Sequence, residues 1–242
     1  MPDSTSVIPL ESNPQIFTDL AHKLGVSPIL QFHDVYSLTD PDLLAFLPHP
    51  IFGVILLFPI TPANEANRIE ADQRTEPYLN DNSKIHWFKQ TIRNGCGLYA
   101  LLHILTNLPP DLNISNSKIS DLVTKLNTKN KSIGETSLLI EELERGIQLD
   151  ENYGSRGQTE APNATDDINL HFISFIKGRD NHLYELDGRR NGPVDLGEVG
   201  DSGKENLIHE PKLVEKIQSY IDNTDEENRH NFAVMAIGPT LD

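Results

Sequence analysis

One cysteine in 242 residues, Cys96, leaves no partner for an internal disulfide. An oxidising compartment is therefore not required. Basic residues are also few, 20 against 36 acidic, for a formal charge of −16. That balance argues against nucleic acid and against anionic membranes, both of which would repel the chain. It suits a basic partner or substrate, although composition alone favours a simple acidic solvated surface. Long apolar runs are missing: the longest, Ile51–Ile60, is too short to cross a bilayer. The first residues lack a basic stretch followed by an apolar one, so no secretory leader is read there. A cytosolic location with access to the nucleus is the expectation. No multi-cysteine set and no H-E-x-x-H spacing occurs, so neither a metal nor another cofactor is expected.

The residues that are present describe a globular chain, with 37% hydrophobic content and enough length for a sizeable core. Asn13–Gly25 reads as a helix, with Asn13 as cap, Pro14 at the first helical position and Gly25 as its end. Ile29–Asp34 reads as a short strand and Pro41–Phe46 as a helical turn. Ile51–Phe58 is an unbroken β-rich apolar run, which marks a central strand buried on both faces. Helical spacing recurs in Ala63–Arg74, Ile114–Asn127, Ser137–Glu144 and Glu210–Ile221. Leu170–Ile176, His182–Asp187 and Asn231–Ile237 read as further strands. Gln148–Asp167 is acidic, poor in apolar residues and about twenty residues long, unusual inside a compact domain unless functional. No internal repeat and no clean domain boundary is visible. At least four strands with five or six helices make an α/β chain of the α+β type.

Chemistry concentrates in Gln90–Leu105, QTIRNGCGLYALLHIL. A polar, glycine-containing turn gives way here to a run that is apolar on nearly all sides, as in a core helix. Asn94 is the expected N-cap, which places Cys96 in the first turn. Unpaired N–H groups and the helix dipole favour a thiolate there. A lone cysteine is otherwise a small buried hydrophobe.

A thiolate catalyst needs a base and a group to orient it. Nine histidines are available. If HFISFIKGRDNHLYELDG forms a hairpin centred on Arg179, His171 stands directly opposite Asp187, within reach of a carboxylate–imidazole bond. His182 stands beside the turn. A one-residue slip would undo the match. Gln90, six residues before Cys96, could offer its amide to an oxyanion, although spacing alone favours an ordinary exposed polar residue.

At these residues the chain resembles the ubiquitin C-terminal hydrolase family of papain-like cysteine peptidases, in particular its short single-domain members. The likeness runs through IPLESNPQIF, HDVYSL, ILLFPIT, QTIRNGCGLYALLH, HFISFI and HLYELDGR. Gly95 departs from the more familiar Ala, Ser or Thr before the cysteine. The resemblance implies Cys96 as nucleophile, His171 as general base and acid, Asp187 as orienting carboxylate and Gln90 as oxyanion donor. It implies substrate-binding acids at Glu11 and Asp34. A papain-like fold follows from it, with a mostly antiparallel central sheet between helices and a knotted backbone. Residues 1–242 would form one catalytic domain, with 148–167 crossing over the active site. Ubiquitin is the implied partner of a monomeric enzyme that removes small adducts or short peptide extensions from the ubiquitin C-terminal glycine. Nedd8/Rub1 as main substrate, a catalytically silent ubiquitin-binding module, and a cytosolic acyl-transfer enzyme with the same Cys-His-Asp logic are the competing readings.

Overall fold

The computed structural model describes residues 6–74, 78, 83–128, 131–150 and 169–241. Its frame is a six-stranded sheet in the order β1-β6-β2-β3-β4-β5. The strands are β1 (Leu30–Asp34), β2 (Gly53–Pro59), β3 (Leu170–Lys177), β4 (His182–Leu186), β5 (Val194–Glu198) and β6 (Ala233–Pro239). Every paired neighbour is antiparallel. Among the described residues the helices are α1 (Pro14–Leu24), α2 (Pro41–Leu44), α3 (Pro62–Gln73), α4 (Cys96–Leu105), α5 (Lys118–Asn127), α6 (Ile133–Asp150), α7 (Asp201–Glu205) and α8 (Pro211–Asp222).

The two faces of the sheet hold separate apolar clusters, divided by strand alternation. Ile55, Phe172, Ile176 and Leu186 face α1, α4 and α5. Val54, Leu56, Ile173, Phe175 and Leu183 face α8. The run Ile51–Phe58 is thus a strand covered on both sides, with β6 and β3 as its neighbours.

Local chemistry sets the elements around this frame. Helix α1 begins at Asn13, whose side chain accepts from Gln15 N–H at 3.0 Å, and stops at Gly25 with φ +106°. A side chain at Gly25 would suffer that φ and would also strike Ser117, 2.1 Å from the position of a Cβ. Helix α5 is shorter than its apolar pattern because Ser117 and Ser120 cap each other at its start. Helix α6 is longer, since Ser132 and Glu135 form a reciprocal cap upstream of the periodic residues and its backbone continues to Asp150. The proposed loop at 148–167 therefore starts on a helix end, and its residues 151–167 lie outside the described residues.

Two expectations need correction. Asn94 is not the cap of α4: it sits at φ +59°, and Gly95 takes the cap position with no side-chain hydrogen bond. Asparagine tolerates the left-handed region, so it makes the turn into the helix instead. Cys96 is consequently the first helical residue. The hairpin is also offset. Ser174 pairs with Leu186 and Ile176 with Tyr184, so the turn centres on Asp180. Its left-handed residue, Asn181 at φ +64°, moves the centre one place along. Partners shift by two, which preserves the face: Asp187 becomes a diagonal rather than a direct neighbour of His171.

Candidate active site

Helix α4 is a rigid mount for the thiol. Nine of its ten residues, Gly97 through Leu105, are buried, and each leucine contributes roughly 2 kcal/mol of apolar burial. Cys96 is the exception, partly exposed at the N-terminus. Leu10 packs close to Gly97, and Val7 N–H donates to Arg93 C=O at 3.1 Å. The N-terminal segment thereby runs along the approach to the cysteine.

His171 reaches the same place from the start of β3. It is 3% exposed and opposes Phe58 of β2, whose ring meets the imidazole edge to face at 5.8 Å. The His171 Nε2–Asp187 Oδ1 distance is 2.8 Å. With Nε2 so held, Nδ1 is the ring nitrogen left for the thiol, and the two side chains are in hydrogen-bonding contact. Asp187 is 1% exposed. Its Oδ1 also accepts from Arg189 N–H at 2.8 Å, while its carbonyl accepts from Trp87 Nε1 at 3.0 Å.

The electrostatics follow from this geometry. Burial opposes charge on His171, but the Asp187 carboxylate and the cysteine overcome it and raise the imidazole to about 9. Burial likewise opposes ionisation of Asp187. The imidazolium and the Arg189 N–H outweigh it and hold the carboxyl well below its usual range. For Cys96, burial would raise the thiol. Its contact with His171, helped by the N–H groups of Phe172 and Gly97, lowers it instead. The absence of a side-chain cap on α4 is part of this arrangement, because the first-turn N–H groups are not occupied by one. A thiolate–imidazolium pair beside a buried carboxylate is equipped for nucleophilic acyl transfer.

Gln90 sits at the edge of the same group. Its backbone N–H donates to Gly188 C=O at 2.8 Å. The approach is so close that a Cβ on Gly188 would lie 2.8 Å from Gln90 Cβ. One amide hydrogen of Gln90 goes to Ile92 C=O at 3.1 Å. Its Oε1 is buried without a partner.

Glu11 and Asp34 are not part of this cluster. Glu11 accepts from Asn13 Nδ2 at 3.3 Å, next to Leu10 and so on the cysteine side of the molecule. Asp34 is exposed at the end of the edge strand β1, with β6 and β2 between it and β3. Partial burial raises its carboxyl.

Other residues of the site carried no local signal. Trp87, Lys89 and Arg68 meet the turn after Asp187 from segments about a hundred positions away in the chain. A large groove of about 580 Å³ lies elsewhere, at the opposite end of α4, between Leu108, Ile176, Arg179 and Leu207. It shares no residue with the Cys96 cluster. No group of three or more histidine, cysteine, aspartate or glutamate side chains among the described residues could hold a metal. No described helix is long and apolar enough to cross a membrane.

Residues 7–222 match the model of the family described as ubiquitin carboxyl-terminal hydrolase, family 1. Ubiquitin carboxyl-terminal hydrolase YUH1 of Saccharomyces cerevisiae is 37% identical over 98% of both chains. A probable ubiquitin carboxyl-terminal hydrolase of Dictyostelium discoideum is 34% identical over 96% of this chain and 88% of its own. The fold is similar to that of the Trichinella spiralis UCH37 catalytic domain, a structure bound to ubiquitin vinyl methyl ester. That comparison has a TM-score of 0.69 at 21% identity and covers 97% of this chain and 96% of the other. Taken with the Cys96 helix and the antiparallel sheet, these matches make the chain a member of the ubiquitin carboxyl-terminal hydrolase family.

Proposed function

We propose that the chain is a thiol hydrolase of the ubiquitin C-terminus, with residues 1–242 acting as one catalytic domain. The carrying observation is the buried 2.8 Å bond from His171 to Asp187 behind a thiol at an uncapped helix start. In this reading Cys96 thiolate attacks the carbonyl of the terminal glycine. The oxyanion is met by the Cys96 N–H and by the second amide hydrogen of Gln90, the first being engaged by Ile92. That attack forms the carbon–sulfur bond; His171 then protonates the leaving amine or thiol as its bond to the carbonyl carbon breaks, which leaves the acyl-enzyme. Water, deprotonated by His171, releases the acyl group and restores the thiol.

Family membership supports ubiquitin as the partner, and the net charge of −16 favours approach of a basic protein. Glu11, on the side of the thiol, and Asp34, on the sheet edge, are proposed contacts for that basic surface. The preference for small adducts rests on the family resemblance over 148–167. A monomer in the cytosol, with access to the nucleus, completes the proposal.

The test is release of a fluorophore from the C-terminus of ubiquitin and, in parallel, of Nedd8. Faster turnover of ubiquitin supports the reading, and faster turnover of Nedd8 reassigns the main substrate. Binding of ubiquitin without turnover of either would make the chain a silent binding module. Shortening 148–167 should widen the range of leaving groups accepted; an unchanged range removes the adduct preference.

A further inference from the structure

Segment 87–90 grips the turn 187–190 at three successive places. Trp87 Nε1 donates to Asp187 C=O at 3.0 Å. Gln90 N–H donates to Gly188 C=O at 2.8 Å. Between them Lys89 Nζ donates to two carbonyls at once, Arg189 at 2.9 Å and Arg190 at 2.7 Å. The third grip is costly. Lys89 is half-buried, and among the described residues it has no carboxylate in ion-pair contact. Its hydrogen bonds go to backbone carbonyls instead; loss of hydration lowers its pKa, with the more distant Asp72 and Asp187 carboxylates opposing that shift and Arg68 and Arg189 adding to it. An ammonium has three donors and no fixed plane, which suits two converging carbonyl oxygens.

The gripped turn is the one that supplies Asp187 with its second hydrogen bond, from Arg189 N–H at 2.8 Å. Arg190 N–H also returns to Asp187 C=O at 3.2 Å. The Arg189 N–H shares its planar peptide group with the Gly188 carbonyl that Gln90 N–H holds, and Lys89 fixes the next two carbonyls, so the turn that orients the carboxylate is held on successive peptide groups. The same lysine precedes Gln90 in the chain, so both ends of the site share one anchor. We propose that Lys89 is a positioning residue for the hydrolysis, locking the 187–190 turn so that Asp187 holds His171 and Gln90 keeps its place against Gly188. This rests on the Cys96–His171–Asp187 reading.

Cys96 is the sole cysteine, so its alkylation by iodoacetamide, followed by intact mass, reports its ionisation without any ubiquitin substrate. In the wild-type protein alkylation should persist at about pH 6, far below the range of a free thiol. Lys89→Met keeps the side-chain length and removes the donors. Its alkylation should slow about tenfold at about pH 6 and match the wild-type rate at about pH 10. With ubiquitin carrying a C-terminal fluorophore, kcat should fall by a similar factor while KM stays within about twofold. Lys89→Gln, which keeps one donor site, should fall between the two, and it carries the test if Lys89→Met does not fold. A folded variant whose alkylation profile superimposes on wild type, even with a lowered melting temperature, overturns the proposal and leaves Lys89 a stability residue. A wild-type protein with an ordinary thiol profile overturns the triad reading first, and the role of Lys89 falls with it.

Discussion

The hairpin of β3 and β4 carries two histidines, each paired with an aspartate at nearly equal length, Asp187 just after β4 and Asp195 on β5. His171 Nε2 lies 2.8 Å from Asp187, and His182 Nδ1 lies 2.9 Å from Asp195. Their surroundings differ completely. Side-chain exposure is 3% and 2% in the first pair, against 35% and 45% in the second. Water and ions screen the outer pair, so little coupling is expected from it. The inner pair is screened by neither, and its carboxylate raises the imidazole to about 9 against the cost of burial. Bond length alone would not separate the proposed catalytic dyad from a surface contact. Burial, the second donor on Asp187 and the adjoining thiol do.

Substitutions can break that contrast in descending order. Cys96→Ala removes the nucleophile and should abolish turnover while ubiquitin still binds, as measured by calorimetry. Asp187→Asn preserves shape but replaces a charged acceptor, and should lower kcat by about 10²–10⁴. Gln90→Ala should cost about 10–10³, mostly in kcat, if its amide meets the oxyanion. At the far end, His182→Ala should leave kcat/KM within about twofold and stability within about 0.5 kcal/mol.

The buried pair also predicts a pH dependence. His171 has a raised folded value, so its coupling to Asp187 stabilises fully below the ordinary 6.5 and fades as pH rises through about 9. Asp187 has a lowered value, so its contribution stands above 3.8 and is lost only on strong acidification. The stability gap between wild type and His171→Ala should therefore shrink from pH 7 to pH 10 in urea titrations. An unchanged gap would mean that the imidazole is not charged in the folded protein. A comparable buried carboxylate, Glu185, is held by Arg190 at 2.9 Å, Tyr220 at 3.0 Å and Lys216 at 3.1 Å. Neutralising it as Glu185→Gln should cost about 1–3 kcal/mol. It should affect turnover much less, because it lies two residues before Asp187, opposite Phe175, and touches Arg190, Tyr220 and Lys216 rather than the reacting groups.

Local signals were legible in the chain where local physics decides. The caps of α1 and the unbroken run of β2 could be read directly, and so could the apolar helix behind Cys96. Asn94 was misplaced by one step because the same residue type serves as cap and as left-handed turn. The hairpin centre moved for the same reason, at Asn181. The same-face relation of His171 and Asp187 survived that shift because strand periodicity is two. Strand β5 was missed: its half-exposed VDLGE pairs at the sheet edge, with an irregularity opposite His182 and Tyr184. The Lys89 grip and the Trp87 bond had no sequence signal at all, since each joins segments a hundred residues apart.

The contrast between the two histidines is tested most directly by one measurement. It is the rate of fluorophore release from the ubiquitin C-terminus by wild type, His171→Ala and His182→Ala under identical conditions. The account predicts efficient wild-type turnover, a His182→Ala rate within about twofold of it, and a His171→Ala rate lower by about 10³ or more. Loss of turnover in His182→Ala with survival in His171→Ala would contradict it.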